Sequence, residues 1–297
     1  MKILRAKHLG MCFGVRDAIA LALERRADAP LTIFGELVHN QTVLDSLRSR
    51  GVQIEENAAS ISTSTVTVTA HGASEKKMSE LRDRKFTVIE ATCPLVHFAH
   101  RAVREFVQAG FHPVIVGKRD HVEVRGLTED LAEFDVVLSE ADVQALQERP
   151  RFGIAAQTTQ PIARVRHLVH LIRNRFPNSE IRFTDTVCQP TKQRQSAAVE
   201  LAAQCDVVIV VGGANSNNTR ELVATCREFC PRVCHVQSAL DLQMEWLSQA
   251  KTVGITAGTS TPDNIIDAVE HHLQQLAAML DECGAPANFF NGAMAKT

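Results

Sequence analysis

Short runs of β-branched and aliphatic residues alternate along the chain with longer stretches in which apolar positions recur every three or four residues. The first pattern is that of strands buried on both faces, and the second that of amphipathic helices. Together they predict an α/β fold with mainly parallel strands. Strands are expected near residues 2–4, 31–34, 52–54, 65–69, 88–92, 114–116, 134–138, 152–155, 183–187, 207–211, 233–236 and 252–255. Helices are expected near 13–26, 41–50, 75–84, 94–109, 141–148, 161–176, 189–204 and 262–280, the third capped by Ser74.

Three cysteines interrupt this pattern in the same way. Cys93 follows a β-branched run and directly precedes Pro94, a residue suited to the first turn of a helix. Cys12 precedes the helical stretch opened by Phe13-Gly14-Val15, and Cys188 the one opened by Gln189. A helix N-terminus favours a thiolate through its free N–H groups and its dipole. After each cysteine helix come a strand, a glycine-led loop, further elements, and a strand ending in a small-residue loop. The chain therefore reads as three pseudo-symmetric α/β units, at 1–92, 93–187 and 188–280, followed by a tail at 281–297.

Composition narrows the functional classes. Lys and Arg number 32 against 34 Asp and Glu, so no global positive field marks a nucleic-acid or membrane-surface binder. The N-terminus is too charged for an apolar signal segment, and no apolar run reaches membrane-spanning length. A cytoplasmic protein is expected. Eight cysteines in such a chain point to metal or redox use rather than to disulfides.

In parallel α/β sheets, ligands bind beyond the carboxyl ends of the strands. The loops expected there carry His39 and His71 from the first unit, His121, Glu123, Gln157 and Thr158 from the second, and Ser216, Asn217, Asn218 and Ser260 from the third. Three thiolates among them fit either a closed Cys₃His zinc site or a cluster with one iron open to substrate. Wide spacing of the cysteines favours the cluster. Singly, the histidines could be satisfied polar residues, and Ser216 only a helix cap. Cys205 reads as a small buried hydrophobe, and Cys226, Cys230 and Cys234 as a weaker metal set broken by Pro231. His271 and His272 are expected on a helix surface.

The wording of these motifs resembles the 4-hydroxy-3-methylbut-2-enyl diphosphate reductase family. It includes Gly10-Met11-Cys12-Phe13-Gly14, Val38-His39-Asn40, Ala70-His71-Gly72, Ala91-Thr92-Cys93-Pro94-Leu95-Val96, His121-Val122-Glu123-Val124 and Gln157-Thr158-Thr159. Val187-Cys188, Arg194-Gln195, Asn215-Ser216-Asn217-Asn218 and Thr256-Ala257-Gly258-Thr259-Ser260 complete it, in the family's order over nearly the whole chain. The resemblance implies three α/β lobes around a [4Fe–4S] cluster held by Cys12, Cys93 and Cys188. It also implies reduction of an allylic alcohol diphosphate to isopentenyl and dimethylallyl diphosphates, with electrons from a ferredoxin or flavodoxin. By position, His39, His71, His121, Ser216, Asn217, Asn218 and Ser260 would surround the diphosphate. Glu123 would deliver protons, and Thr158 would place both Glu123 and the substrate hydroxyl. Departures from the family wording are Val122 for a proline, Asn217 for a second serine, Lys118-Arg119-Asp120, His97-Phe98 and Gln189-Pro190. They leave open a paralogue acting on a related allylic diphosphate. A non-catalytic iron–sulfur sensor is a further alternative, although it would need no proton donor at Glu123.

Overall fold

The computed structural model describes residues 1–284, with side chains through 280. Twelve strands form three four-stranded sheets, in which every neighbouring pair is parallel. After β1 (Lys2–Arg5), β2 (Leu31–Phe34), β3 (Gln53–Glu55), β4 (Thr65–Val68) and β5 (Thr87–Glu90) form lobe one in the order β3-β2-β4-β5. Lobe two contains β6 (His112–Val116), β7 (Asp135–Val137), β8 (Arg151–Ala156) and β9 (Glu180–Phe183), ordered β7-β6-β8-β9. Lobe three contains β10 (Val207–Val211), β11 (Val233–Val236) and β12 (Thr252–Ala257), and its order β11-β10-β12-β1 is completed by the first strand.

The last pairing differs from the expected unit boundaries. Residues 1–92 do not make one sheet, because β1 pairs with β12, Lys2 opposite Thr252. The physical reason is cyclic. Each strand that leads to a cysteine belongs to the preceding lobe, and the helix after that cysteine belongs to the next. Thus β5 completes lobe one before Cys93, β9 completes lobe two before Cys188, and β1 completes lobe three before Cys12. The strands also stop short of the cysteines: β9 ends at Phe183, and residues 184–187 are irregular.

The helices are α1 (Phe13–Asp28), α2 (Gln41–Ser49), α3 (Glu75–Asp83), α4 (Pro94–Gln108), α5 (Val122–Thr128), α6 (Glu140–Ala145), α7 (Ile162–Arg175), α8 (Gln189–Ala202), α9 (Asn217–Arg227) and α10 (Asp263–Gly284). Each sheet has a hydrophobic cluster on either face. That layering explains strands such as β10, which is buried at all five positions and shows no alternation. The expected tail begins as the end of α10, and 285–297 lie outside the described residues. Among the described residues no helix is long and apolar enough to cross a membrane.

Hydrogen bonds repeat in phase around the three lobes. The glycine-led loops start alike, with Gly35 N donating to Glu55 O, Gly117 N to Val137 O and Gly212 N to Val236 O, at 2.8, 3.0 and 2.9 Å. The cysteine turns are tied to the small-residue loops in the same fashion. Cys93 N donates to Ala70 O at 3.1 Å, Cys188 N to Thr158 O at 3.0 Å and Cys12 N to Thr259 O at 3.0 Å. Each cysteine therefore stands where two lobes meet.

Candidate functional site

Cys12, Cys93 and Cys188 are the N-cap residues of α1, α4 and α8, and all three are free thiols at intermediate exposure. They come close enough to influence one another: Cys12 and Glu123 both act electrostatically on Cys93 and on Cys188. At the same centre α1 approaches Cys93 so closely that a Cβ at Gly14 would overlap the sulfur. A glycine there leaves space that any other residue would fill.

The expectation that helix N-termini would favour thiolates is overturned for the free thiols of Cys93 and Cys188. Burial pushes Cys93 up, and the N–H groups of Leu95 and Val96 offset it only in part. Burial likewise pushes Cys188 up to about 11, against the opposing pull of Thr191, whose hydroxyl lies 3.0 Å from the sulfur. Clustered thiolates in so dry a place require a positive centre. The donor set suits an iron–sulfur group better than a single ion, because among the described residues the three sulfurs are not a group tight enough to share one metal ion.

The three loop histidines do converge. Ring centroids of His39 and His71 are 4.4 Å apart and stacked, and His121 meets them edge-on at 5.2 and 5.5 Å. Their ligand atoms lie within 4.8 Å of one another, which invites a metal reading. Proton bookkeeping opposes it. His121 caps α5, and its Nδ1 accepts the Glu123 N–H at 3.1 Å. Burial, helped by the charge of His39, holds its pKa down at about 3, so the ring is neutral and its proton sits on Nε2. No lone pair then remains for a metal, whereas Nε2–H is a donor for an anion. Burial also keeps His71 well below its ordinary value, and its Nδ1 is buried without a hydrogen-bond partner. His39 Nδ1 lies 2.8 Å from Glu36 Oε2.

Glu123 lies not in a loop, as expected from sequence, but in the first turn of α5. A seven-residue segment containing Val, Gly and Thr has weak helix propensity. Packing holds it, since Val124 and Leu127 are buried in the core beside β6 and β8. The Glu123 carboxylate is only 1% exposed. It accepts from Thr158 N at 2.6 Å and from Thr158 Oγ1 at 3.0 Å. Burial raises its pKa to about 7 despite those two hydrogen bonds.

The remaining predicted residues adjoin this centre. Ser216 caps α9 by accepting from Thr219 N, so its cap role is real and its own hydroxyl proton is left to donate. Asn218 Oδ1 accepts from Thr259 N at 3.0 Å, while Asn218 Nδ2 is buried without a partner. Asn217 Nδ2 reaches Thr159 Oγ1 in lobe two at 3.2 Å, and Ser260 Oγ reaches His39 O in lobe one at 3.4 Å. Gln157, fully buried, fixes the second small-residue loop by accepting from Lys118 N and Gln160 Nε2. The contacts thus run continuously from Cys188 through Thr158 and Glu123 to the histidines, and on through Ser260 and Thr259 to Cys12. A groove of about 580 Å³ between lobes one and two, lined in part by Gly72, Lys77, Val122 and Arg125, reaches His39 from outside.

Other cysteines stay apart. Cys205, Cys226 and Cys230 lie in a hydrophobic cluster of lobe three, and with Cys234 they form no metal-binding group among the described residues. α9 ends at Arg227, before Cys230, whose thiol donates to Cys205 O. Sequence reasoning missed the latch between lobes one and two. Ser74 Oγ donates to Glu129 Oε2 at 2.5 Å, and Asp130 accepts from Glu75 N and Lys76 N at 2.7 and 3.0 Å. Carboxylates that cap a helix of another lobe carry no local signature.

The chain is 36% identical over 278 residues to the 4-hydroxy-3-methylbut-2-enyl diphosphate reductase of Trichlorobacter lovleyi, covering 93% of this chain and 99% of that one. It is 35% identical to the enzyme of the same name from Aquifex aeolicus, over 92% of this chain and 96% of the relative. A solved structure of (E)-4-hydroxy-3-methyl-but-2-enyl diphosphate reductase, described as the terminal enzyme of the non-mevalonate pathway, superposes with a TM-score of 0.66 at 35% identity, covering 93% of this chain and all of that one. The corresponding reductase of Plasmodium falciparum superposes with a TM-score of 0.84 at 25% identity, covering 99% of this chain and 93% of that one. The family model described as LytB protein matches residues 3–274, and the chain belongs to that family of diphosphate reductases.

Proposed function

We propose that the chain reduces 4-hydroxy-3-methylbut-2-enyl diphosphate to isopentenyl and dimethylallyl diphosphates in the cytoplasm, with electrons from a ferredoxin or flavodoxin. Cys12, Cys93 and Cys188 would hold a [4Fe–4S] cluster. Such a group, when bound, supplies electrons and a Lewis-acidic iron for breaking a C–O bond.

The observation that carries the reading is Glu123, a buried carboxyl whose proton is retained to about pH 7, set among the histidines and beside the cysteine turns. Hydroxide leaves poorly, and a neutral carboxylic acid aimed at the departing oxygen turns it into water. Thr158 keeps that carboxyl in place through both its N–H and its hydroxyl. Its position also suits contact with the substrate hydroxyl. Such a costly buried acid favours turnover over a sensing role, which requires no proton transfer.

Beside Glu123, His121 Nε2–H and the unpartnered Asn218 Nδ2 would donate to phosphate oxygens. His39, His71, Ser216, Asn217 and Ser260 would complete the diphosphate site. The buried setting limits water around the reacting carbons. The test is anaerobic turnover of the family substrate with a reduced dye and product analysis, with a related allylic diphosphate in parallel. Conversion to the two isoprenoid diphosphates is expected. Iron-loaded protein that turns over neither compound would overturn the enzymatic reading.

A further inference from the structure

Arg194, on α8, belongs to a matched motif that the proposed chemistry leaves without a role. Its side chain is buried, with the residue 7% exposed. Nε and Nη2 donate to Gly10 O at 2.9 and 2.6 Å, and Nη1 donates to Pro190 O at 3.1 Å. Each nitrogen therefore donates to a neutral carbonyl oxygen and none of these bonds reaches an anion. Among the described residues no carboxylate lies within ion-pair distance of it. Asp263 acts on it only weakly, and is itself exposed and paired with Arg16 at 3.3 Å.

A buried cation without a counter-charge is costly, and a guanidinium cannot relieve the cost by losing its proton. A negative charge must come from nearby. The strongest such influences on Arg194 are Cys12 and Cys188. The geometry explains why. Gly10, in a left-handed turn at φ +75°, lies two residues before Cys12, and Pro190 lies two residues after Cys188. One guanidinium fork therefore braces both cysteine turns at their backbones.

We infer that Arg194 is a positioning residue and the fixed counter-charge of the group held by the three cysteines, and that it raises the reduction potential of that group. The inference rests on the three-cysteine reading above. A fixed positive charge beside a centre that gains an electron stabilises the reduced state. In lobe three the charge is placed by the fold rather than by solvent ions, so salt screens it little.

The test compares the parent, Arg194→Gln and Arg194→Lys after anaerobic reconstitution. Iron and sulfide content are measured, and the midpoint potential is followed by electron paramagnetic resonance during a redox titration without substrate. Gln can still donate to a carbonyl but carries no charge, so its potential should shift to more negative values. Lys loses the fork but keeps the charge, so its potential should stay near that of the parent. Arg194→Gln with parental iron content and an unchanged potential overturns the inference. If Arg194→Gln holds no iron, restored loading in Arg194→Lys supports the charge role. Equal failure of both variants makes the role one of shape and overturns it. A parent chain that takes up no iron overturns the three-cysteine reading itself, and the inference with it.

Discussion

Replacing Glu123 by Gln should make the protein more stable and far less active, a combination that few other site substitutions would produce. The carboxyl moves from an ordinary 4.5 to about 7 on folding, because burial outweighs the two hydrogen bonds from Thr158. A group whose folded pKa is raised binds its proton more tightly in the native chain. Its stabilising contribution is thus present below pH 4.5 and is lost as pH rises through about 7. The corresponding energy is about 3 kcal/mol, an order-of-magnitude figure. Gln never ionises and escapes that loss. It gives back about 1 kcal/mol, because its amide must turn an N–H toward one of the two Thr158 donors. The variant should therefore gain about 1–2 kcal/mol over the parent at pH 8, and no advantage near pH 4.5. Turnover should drop by about 10²–10⁴-fold, the usual worth of a positioned general acid. Denaturant unfolding at several pH values isolates the effect, since other titrating groups cancel in the difference between the two chains. Anaerobic turnover per iron supplies the second readout. Parental turnover at equal iron content would falsify the acid role, and a stability difference that does not change with pH would refute the burial argument.

Thr158→Val removes a hydroxyl that lowers the Glu123 pKa, so the high-pH limb of the rate profile should move upward from about 7, as a pH–rate series would show. Substituting Ser for Cys12, Cys93 or Cys188 should each sharply reduce bound iron. Cys226→Ser should leave iron unchanged while costing about 1–2 kcal/mol in thermal unfolding, because it puts a hydroxyl into an apolar cluster. Gly14→Ala should lower iron content without unfolding the chain, since the new Cβ overlaps the Cys93 sulfur while α1 itself tolerates alanine. Asp130→Ala frees two N–H groups of α3 and should cost about 1 kcal/mol in melting experiments. It should also raise KM, because the latch joins the loop of His71 to the helix of Glu123.

The pattern of residues determined most strands and helices and the three cysteine turns, although β9 lies three residues before the expected run. Continuous apolar runs such as 207–211 suit only strands covered on both faces, and Cys12, Cys93 and Cys188 each cap the helix expected after them. Those signals are local and repeat three times. The order of the motif-bearing loops was also legible, and with it the family. Tertiary structure decided the rest. Nothing near Lys2 says that its neighbour will be Thr252, because sheet pairing is chosen by closing the ring of lobes. Helix α5 exists because Val124 and Leu127 find a core, against the propensity of its seven residues. Helix dipoles argued for thiolates at Cys93 and Cys188, and burial reversed that in the free thiols. The proton on Glu123, the tautomer of His121 and the unpaired charge of Arg194 have the same origin. Each depends on how much water the folded chain excludes and on which distant groups replace it.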